Sequence, residues 1–287
     1  MSRTAPERRA WQPRTAADGV YYAVARSEEV LGALPVAAAD RAAASELPPW
    51  RAVEHTASRT LLRALLRELG EALTDDLGEG FAAADGLAAA EGFADDAVGS
   101  AAADGFAEGF AEDVADGFTG DAAEGITSAV AGGFAEDFHG GPVAARPGGR
   151  PYLPGRPDLG VSLSHSSGWV AAAVGRNRDV GVDVQVPAAV GRRLLRFCCA
   201  PADADALAAM AEDRRRREFA WIFTAQEACV KAVGAGFSAR PWTVPVALGQ
   251  RAGTWRRVRW HAPRDRQPVP VACAWTERAG PGGTGVA

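Results

Sequence analysis

The segment Val180–Val186, with the sequence V-G-V-D-V-Q-V, predicts the β-strand around which the other motifs can be placed. Because alternate side chains of a strand point to opposite faces, the four valines share one face, while Gly181, Asp183 and Gln185 share the other. The polar face would hold a carboxylate and an amide about 7 Å apart, beside a glycine that leaves room for a ligand to approach the backbone. We interpret it as half of a metal site; the alternative is an amphipathic strand with one solvated face.

The composition separates an acidic segment from a basic remainder. The chain has 287 residues, which is enough for one large or two small domains. Its hydrophobic content of 47% is ordinary for a globular protein. Of its 36 Asp and Glu residues, 17 lie between 71 and 145, whereas all 31 Lys and Arg residues lie elsewhere. A basic body favours anionic partners, such as phosphorylated small molecules, acidic proteins or nucleic acid.

The cysteines and the N-terminal residues lead to an expectation about the compartment. Residues 1–15 lack the apolar run of a signal peptide, and no segment of 18 apolar residues occurs. The cysteines form neither a C-x-x-C pair nor a zinc-binding spacing with the histidines: Cys198, Cys199, Cys229 and Cys273. We therefore expect a cytoplasmic protein with reduced thiols and no membrane association.

The first third of the chain predicts one strand, at Val20–Ala25, and helical structure over Arg41–Leu69. Arg59, Arg63 and Arg67 follow one another at a spacing of four residues and so form a basic stripe on that helix. Such a stripe is usually a solvated face; the alternative is an edge that faces phosphate groups.

Residues 71–145 predict a mostly disordered, acidic, Ala/Gly-rich insertion. Gly-Phe pairs recur there without a constant period, which argues against a solenoid. Scattered glycine with uniform negative charge disfavours a fold. The segment is either an inert surface insertion or a self-shielding mimic of an acidic partner, whose phenylalanines touch the basic body.

A predicted hairpin leads into the Val180 strand. Residues 161–166 alternate apolar and polar side chains, a Ser-Gly turn follows, and residues 169–174 are apolar. His165 lies at a strand end among serines, a poor position for a core histidine. A Ser-His nucleophile pair is excluded, because neighbouring strand residues point to opposite faces and no nucleophile elbow surrounds them.

The C-terminal third predicts helical structure over Asp203–Gly234, interrupted at 212–217 and ended by a glycine cap. Strands are predicted over 243–248, 254–261 and 269–275. Glu227 and Lys231 lie four residues apart and share a face of the helix. In isolation such a pair is most often a surface salt bridge.

Several motifs together resemble the surfactin-synthetase-activating type of 4′-phosphopantetheinyl transferase. They are, in chain order, S-R-T-L-L at 58–62, G-R-P-Y at 149–152, S-L-S-H-S at 162–166, G-V-D-V at 181–184 and F-T-A-Q-E-A-C-V-K-A-V-G-A-G at 223–236. Apart from the insertion and the two ends, the resemblance covers most of the chain.

The resemblance implies an α+β fold of two similar lobes that are related by a pseudo-two-fold axis, with the active site in the cleft between them. The N-terminal lobe would comprise 1–177, including the insertion at about 71–145, and the C-terminal lobe, which carries the metal-binding motifs, 178–275. Residues 276–287 would form a flexible tail. We expect a monomer that binds neither nucleic acid nor membrane.

By the same resemblance, Asp183 and Glu227 are metal ligands for Mg²⁺ or Mn²⁺, with Gln185 contributing through a water molecule. Lys231 would contact the phosphates of coenzyme A. The adenine nucleotide end of coenzyme A would be bound by Arg59, Thr60, Arg150, Ser164 and His165. Few oxygen ligands, completed by water and substrate phosphates, are typical of Mg²⁺.

The implied reaction is the Mg²⁺-dependent transfer of the 4′-phosphopantetheine arm of coenzyme A to a serine of an apo acyl or peptidyl carrier protein, as in polyketide and nonribosomal peptide biosynthesis. Adenosine 3′,5′-bisphosphate is released. Asp183, Glu227 and Lys231 would be the catalytic residues. Three positions depart from the family pattern: Gln185 replaces a carboxylate, Gln226 a lysine and Phe223 a tryptophan.

Two other classes of function stay open. If Gln185 impairs the metal site, the protein would be a catalytically weak module that binds coenzyme A or a carrier protein. A nucleic-acid binder that uses the arginine runs at 214–217 and 256–259 is disfavoured, because those runs lack interleaved aromatic side chains.

Overall fold

The computed structural model describes residues 11–70, 142–147, 149–234, 240–264 and 266–278. Most of the expected acidic insertion and of the expected C-terminal tail lies outside these ranges. The helices and strands, in chain order, are β1 Arg14–Ala17, β2 Val20–Arg26, α1 Ser27–Ala33, α2 Ala38–Ala44, α3 Pro49–Glu68, β3 Ala144–Ala145, β4 Pro151–Tyr152, β5 Leu159–Ser166, β6 Trp169–Arg176, β7 Arg178–Val184, α4 Arg192–Cys198, α5 Pro201–Ala209, α6 Glu212–Val233, β8 Ala252–Trp255, β9 Val258–His261 and β10 Val271–Glu277.

The fold is a mixed α/β arrangement that contains two antiparallel four-stranded sheets. The strand order is β1-β2-β6-β5 in the first sheet and β7-β10-β9-β8 in the second, and β3 pairs with β4. The long helix α3 packs against β5 and β6, and α6 packs against β7 and β10. In each sheet the strand that precedes the long helix pairs with the last strand that follows the helix. These pairs are β2 with β6 and β7 with β10.

The valines of β7 form the core between the two sheets, as predicted. Val180, Val182 and Val184 are fully buried and belong to one apolar cluster with residues of the first sheet, among them Val20 and Ala171. Burying three valine side chains contributes several kcal/mol, at about 1.5–3 kcal/mol for each. Both sheets therefore depend on the apolar face of one strand.

The opposite face of β7 is covered by α6, which corrects two expectations. A Cβ atom at Gly181 would lie 2.0 Å from the backbone oxygen of Ala228 and 2.5 Å from the backbone nitrogen of Ala232. The space beside Gly181 is thus filled by helix backbone, and the prediction that it admits a ligand is wrong. The alternative of a solvated face is also wrong, since Asp183 is 1% exposed.

A row of serine side chains joins the first sheet to the second. The Oγ atoms of Ser162, Ser164 and Ser166 on β5 accept hydrogen bonds from the backbone N–H groups of Val182, Val184 and Val186, at 3.0, 3.3 and 3.0 Å. The alternation along β5 supplies a serine at every second position, which matches the spacing of the N–H groups along the facing edge. This row brings the end of β5 beside Asp183.

Several element bounds differ from the prediction. The interruption expected at 212–217 is wrong, since these residues begin α6 and the break lies at 210–211. The helix expected over Arg41–Leu69 is two helices, because the consecutive residues Pro48 and Pro49 restrict the backbone between α2 and α3. Residues 243–248 contain the end of a 3₁₀ turn and no strand. The expected strand over 254–261 is the hairpin of β8 and β9, and β1 was not predicted.

The expected bounds of the insertion and the tail also overlap the fold. Val143 is 8% exposed and packs in the core of the first sheet, and Ala144–Ala145 forms β3. At the other end, β10 continues to Glu277. No helix in the described ranges is both long and apolar enough for a membrane span.

The basic stripe on α3 is not a solvated face throughout. The side chain of Arg63 is 4% exposed, and its Nε and Nη2 atoms donate hydrogen bonds to both carboxylate oxygens of Asp40, at 2.7 and 3.1 Å. Paired donors of this kind match the geometry of a carboxylate. The prediction is therefore wrong for Arg63, which fastens α2 to α3.

Candidate functional site

Asp183 lies one residue before the end of β7, where β5 and α6 meet it. Its Oδ1 atom accepts hydrogen bonds from the hydroxyl of Ser164 at 2.8 Å and from the ammonium group of Lys231 at 2.7 Å. Ser164 comes from β5 and Lys231 from the last turn of α6. Three elements thus converge on one buried carboxylate.

The side chain of Lys231 reaches from α6 to β7. Besides Asp183, its Nζ atom donates to the Oγ atom of Ser164 at 3.1 Å and to the backbone oxygen of Val182 at 3.2 Å. The side chain as a whole is 22% exposed, so the cluster borders on solvent at Lys231. The site therefore combines a fixed cation with access from outside.

Glu227 lies one helical turn before Lys231 and is 3% exposed. Burial is the main cause that raises its pKa, to about 8; the charge of Asp183 raises it further, and Lys231 opposes this. Its Oε1 atom is buried and makes no hydrogen bond within the described residues. The interpretation of Glu227 and Lys231 as an exposed salt bridge is thus wrong. The carboxylates of Glu227 and Asp183 are close enough to repel each other.

Gln185 is half-buried beside this pair, and its Nε2 atom donates to Oδ2 of Asp183 at 3.3 Å. Within the described ranges no three His, Cys, Asp or Glu side chains form a group that could hold a metal ion. The donors near Asp183 nevertheless fit Mg²⁺ or Mn²⁺, since Glu227 Oε1 is buried without a partner and hard oxygen ligands suit these ions. Water and phosphate would complete such a site.

Arg150 lies at the C-terminal end of α6, apart from Asp183. Its Nη2 atom is 2.9 Å from Oδ1 of Asp179 and donates to the backbone oxygen of Ala232 at 3.4 Å. It lines a cavity of about 410 Å³, together with Arg146, Tyr152, Arg156, Asp179 and Arg278. The excess of arginine gives this cavity a positive character that suits an anionic group.

His165 is held by a residue that the sequence did not indicate. Its Nδ1 atom is 2.8 Å from Oε2 of Glu54 on α3, and the other carboxylate oxygen accepts a hydrogen bond from the N–H group of Gly168 at 3.0 Å. Burial raises the pKa of Glu54, but the hydrogen bonds from His165 and Gly168, with the charge of His165, lower it more. His165 therefore faces α3, on the side of β5 away from Asp183.

The two remaining predicted contacts lie on α3. Arg59 donates to Nδ1 of His55 at 3.0 Å and lies 3.9 Å from Asp40. Thr60 is fully buried, and its Oγ1 atom has no hydrogen-bond partner within the described residues. In this structure the Thr60 hydroxyl is therefore closed to solvent, and its role as a coenzyme A contact stays a prediction.

The structure thus brings together one part of the predicted site. Asp183, Glu227, Lys231, Ser164 and Gln185 form one cluster, whereas Arg59, Thr60, Arg150 and His165 lie outside it. The partners that were missed are Asp40, Glu54 and Asp179. Each is an acidic residue whose basic partner lies far away in the chain, so no local spacing could have indicated the pair.

Comparison with known proteins gives two matches. The family model described as "4'-phosphopantetheinyl transferase superfamily" matches residues 179–267. A curated 4'-phosphopantetheinyl transferase of Bacillus subtilis is 27% identical over 90 residues, which cover 31% of this chain and 40% of that protein. The family match contains Asp183, Gln185, Glu227 and Lys231 but none of the predicted contacts from β5 or α3. Residues 179–267, which carry the carboxylate–lysine cluster, are therefore similar to the 4′-phosphopantetheinyl transferase superfamily.

Proposed function

We propose that this protein transfers the 4′-phosphopantetheine arm of coenzyme A to a serine of an apo acyl or peptidyl carrier protein and releases adenosine 3′,5′-bisphosphate. The observation that carries the proposal is the cluster of Asp183, Glu227 and Lys231. Asp183 and Lys231 are 48 positions apart in the chain, yet their charged groups are 2.7 Å apart inside the region similar to the superfamily.

The chemistry of these groups suits phosphoryl transfer, which needs neutralised charge and in-line positioning more than covalent catalysis. Asp183 and Glu227 would hold Mg²⁺, with Gln185 reaching it through water. Mg²⁺ bound there would neutralise part of the charge of the diphosphate.

The side chains divide the remaining tasks. Lys231 would donate to the phosphate that leaves and offset the charge that builds on it. Glu227 would accept the proton of the attacking serine hydroxyl, directly or through a water molecule. This role needs the Glu227 carboxylate within hydrogen-bond reach of the hydroxyl or of a bridging water molecule.

The finer assignments extend the same proposal. We take the two sheets with their long helices as lobes related by a pseudo-two-fold axis, as in the surfactin-synthetase-activating type, with coenzyme A between them. Its nucleotide end would lie near Arg59, Thr60, Arg150, Ser164 and His165. The basic cavity beside Arg150 supports an anionic substrate. The protein would act in the cytoplasm as a monomer.

One observation favours a second candidate, a module that binds coenzyme A or a carrier protein with little turnover. Gln185 places an amide next to Asp183, so the cluster has one carboxylate fewer than a three-acid site. Fewer anionic ligands weaken the binding of a hard cation. This candidate predicts binding of coenzyme A without transfer.

Intact-protein mass spectrometry separates the two candidates. The full chain is incubated with an apo carrier protein, coenzyme A and MgCl₂, with a carrier whose acceptor serine is replaced by alanine as the control. The proposal predicts that the carrier alone gains the mass of the phosphopantetheine arm. Binding of coenzyme A by calorimetry with no gain in mass would instead establish the binding module.

A further inference from the structure

Lys231 already has its hydrogen-bonding capacity filled by the protein itself. An ammonium group has three N–H donors, and within the part of the chain that the structure describes Nζ reaches at least three oxygens: Asp183 Oδ1, Ser164 Oγ and the backbone oxygen of Val182. A phosphate oxygen can therefore be bound by Lys231 only if one of these partners is released.

The carboxylate is occupied in the same way. Oδ1 of Asp183 accepts from both Lys231 and Ser164, and Oδ2 accepts from Gln185. Asp183 is 1% exposed, so no other face of the carboxylate is open to solvent. A cation that binds Oδ1 of Asp183 has to take the place of Lys231 or Ser164, because both acceptor positions of that oxygen are used.

The close approach of α6 to β7 sets this arrangement. Lys231 can lie against the strand because residue 181 is glycine: a Cβ atom there would be 2.9 Å from the Cβ atom of Lys231. The ammonium group is thereby aimed along the strand at Val182 and Asp183. The pairing is built into the packing of the two elements and does not depend on a long flexible reach.

Two cations cannot occupy one side of Asp183 without strong repulsion, because the water-poor surroundings weaken the screening between charges. We propose that Lys231 is a resident counter-ion of Asp183, which a divalent cation displaces and which then turns to the phosphates of the substrate. This rests on the proposed function, since it concerns the same site. The divalent cation and the diphosphate then bind cooperatively, because the phosphate supplies the partner that Lys231 loses.

Binding of Mn²⁺ tests this directly, with electron paramagnetic resonance counting the free ion over a titration of the full-length protein. Lys231→Met keeps most of the side-chain volume and removes the charge. Without coenzyme A it should bind Mn²⁺ about tenfold more tightly than the wild type, as expected when a competing buried cation is removed. Addition of coenzyme A should tighten Mn²⁺ binding in the wild type and much less in the variant.

Two controls separate the local effect from net charge and from misfolding. Arg214→Met removes an exposed positive charge from the same helix and should leave Mn²⁺ binding unchanged. Lys231→Arg keeps the charge and should keep the weaker wild-type binding. Circular dichroism confirms that each variant is folded.

The outcomes distinguish the inference from the proposed function. If the wild type binds Mn²⁺ and Lys231→Met binds it no more tightly, the counter-ion role is overturned while the transferase proposal stands. If neither protein binds Mn²⁺, with or without coenzyme A, both the counter-ion role and the metal site of the proposed function are overturned.

Discussion

Gly181 shows how a single residue sets the distance between two elements. Its missing side chain lets α6 lie against β7, with backbone atoms of Ala228 and Ala232 and the Cβ atom of Lys231 next to the position that a side chain would take. The contact that places Lys231 beside Asp183 therefore depends on a residue that carries no functional group.

Gly181→Ala is expected to destabilise the protein, because the added methyl group meets backbone atoms that cannot rotate away. We expect a loss of roughly 2–4 kcal/mol in the free energy of unfolding, similar to other overpacked sites. Urea denaturation measures it. Gly32→Ala is the matched control: nothing lies within 4 Å of its added methyl group, and this helical position favours alanine. Equal stability of the two variants would contradict the packing account.

His55 makes folding stability depend on pH. Burial is the main cause that lowers its pKa to about 4, the charge of Arg59 lowers it further, and Asp40 opposes this. The folded protein therefore keeps His55 neutral at a pH where the unfolded chain takes up a proton. The contribution of neutral His55 to the free energy of unfolding is fully present above the unfolded pKa near 6.5. It is lost as the pH falls toward 4, because the unfolded chain then binds a proton that the folded protein does not.

His55→Gln should accordingly flatten this part of the profile, since glutamine does not titrate and can still accept from Arg59. The wild type should lose roughly 1–2 kcal/mol more stability than the variant between about pH 6.5 and 4, after allowance for solvent screening. Urea denaturation at a series of pH values measures the difference. Parallel curves for the two proteins over that range would contradict the role of His55.

At the scale of elements, the row of serines on β5 links the two sheets by hydrogen bonds, beside the apolar core between them. Ser162 is 4% exposed, and its hydroxyl is the hydrogen-bond acceptor for the N–H group of Val182, whereas Ser166 near the end of the strand is half-buried. The same type of hydrogen bond, from a backbone N–H group to a serine hydroxyl, is thus buried at Ser162 and partly exposed to solvent at Ser166.

Ser162→Ala should cost more stability than Ser166→Ala. The first change leaves a buried N–H group without a partner, at about 1–3 kcal/mol, while water can replace the hydroxyl in the second. Thermal and urea unfolding of both variants give the comparison. If Ser166→Ala loses as much stability as Ser162→Ala or more, the buried hydrogen bond of Ser162 does not have the role given to it here.

The elements that could be predicted are those with strong periodicity. The alternation of β7 gave the correct faces, and the glycine after α6 adopts the left-handed conformation of a cap, with φ 72° at Gly234. The turn between β8 and β9 was missed because it contains none of the residue types that usually mark a turn. Arg256 adopts a positive φ of 54°, a conformation in which glycine or asparagine is usually found. Its side chain instead stacks on the ring of Trp255.

The site could be predicted only in part, for a physical reason. Strand alternation placed Asp183 on the polar face of β7, whereas the site role of Lys231 came from the family resemblance. The contact between the two residues depends on how α6 packs on β7, which no local pattern encodes. The pairs of Arg63 with Asp40 and of His165 with Glu54 depend on tertiary packing in the same way. Arginine and histidine therefore looked free in the sequence although the fold pairs them.

For the whole molecule, the boundary between the basic body and the acidic segment has a measurable consequence. Residues 11–70 and 142–147 belong to the described fold, and Val143 packs in its first core. Removal of the acidic segment should therefore be tolerated only if it stops before Val143.

Replacement of residues 71–141 by a flexible Gly/Ser linker should leave arm transfer largely intact, because closing a shorter loop lowers its entropic cost. Extending the deletion through Ala145 should lower stability by about 2 kcal/mol or more, through the loss of the Val143 side chain and of strand β3. Transfer assays and urea denaturation of both deletions check this. Loss of transfer in the shorter deletion would assign a required role to the acidic segment.

The central claim is that two carboxylates and one lysine, brought together from β7 and α6, form a transfer site. The most direct measurement is the rate at which an apo carrier protein gains the phosphopantetheine arm with wild type, Asp183→Asn and Glu227→Gln. Both variants keep the side-chain shape, and circular dichroism checks that they fold. We predict that the wild type transfers the arm and that each variant is slower by roughly a hundredfold or more. Transfer at the wild-type rate by either folded variant, or none by the wild type, would contradict the claim.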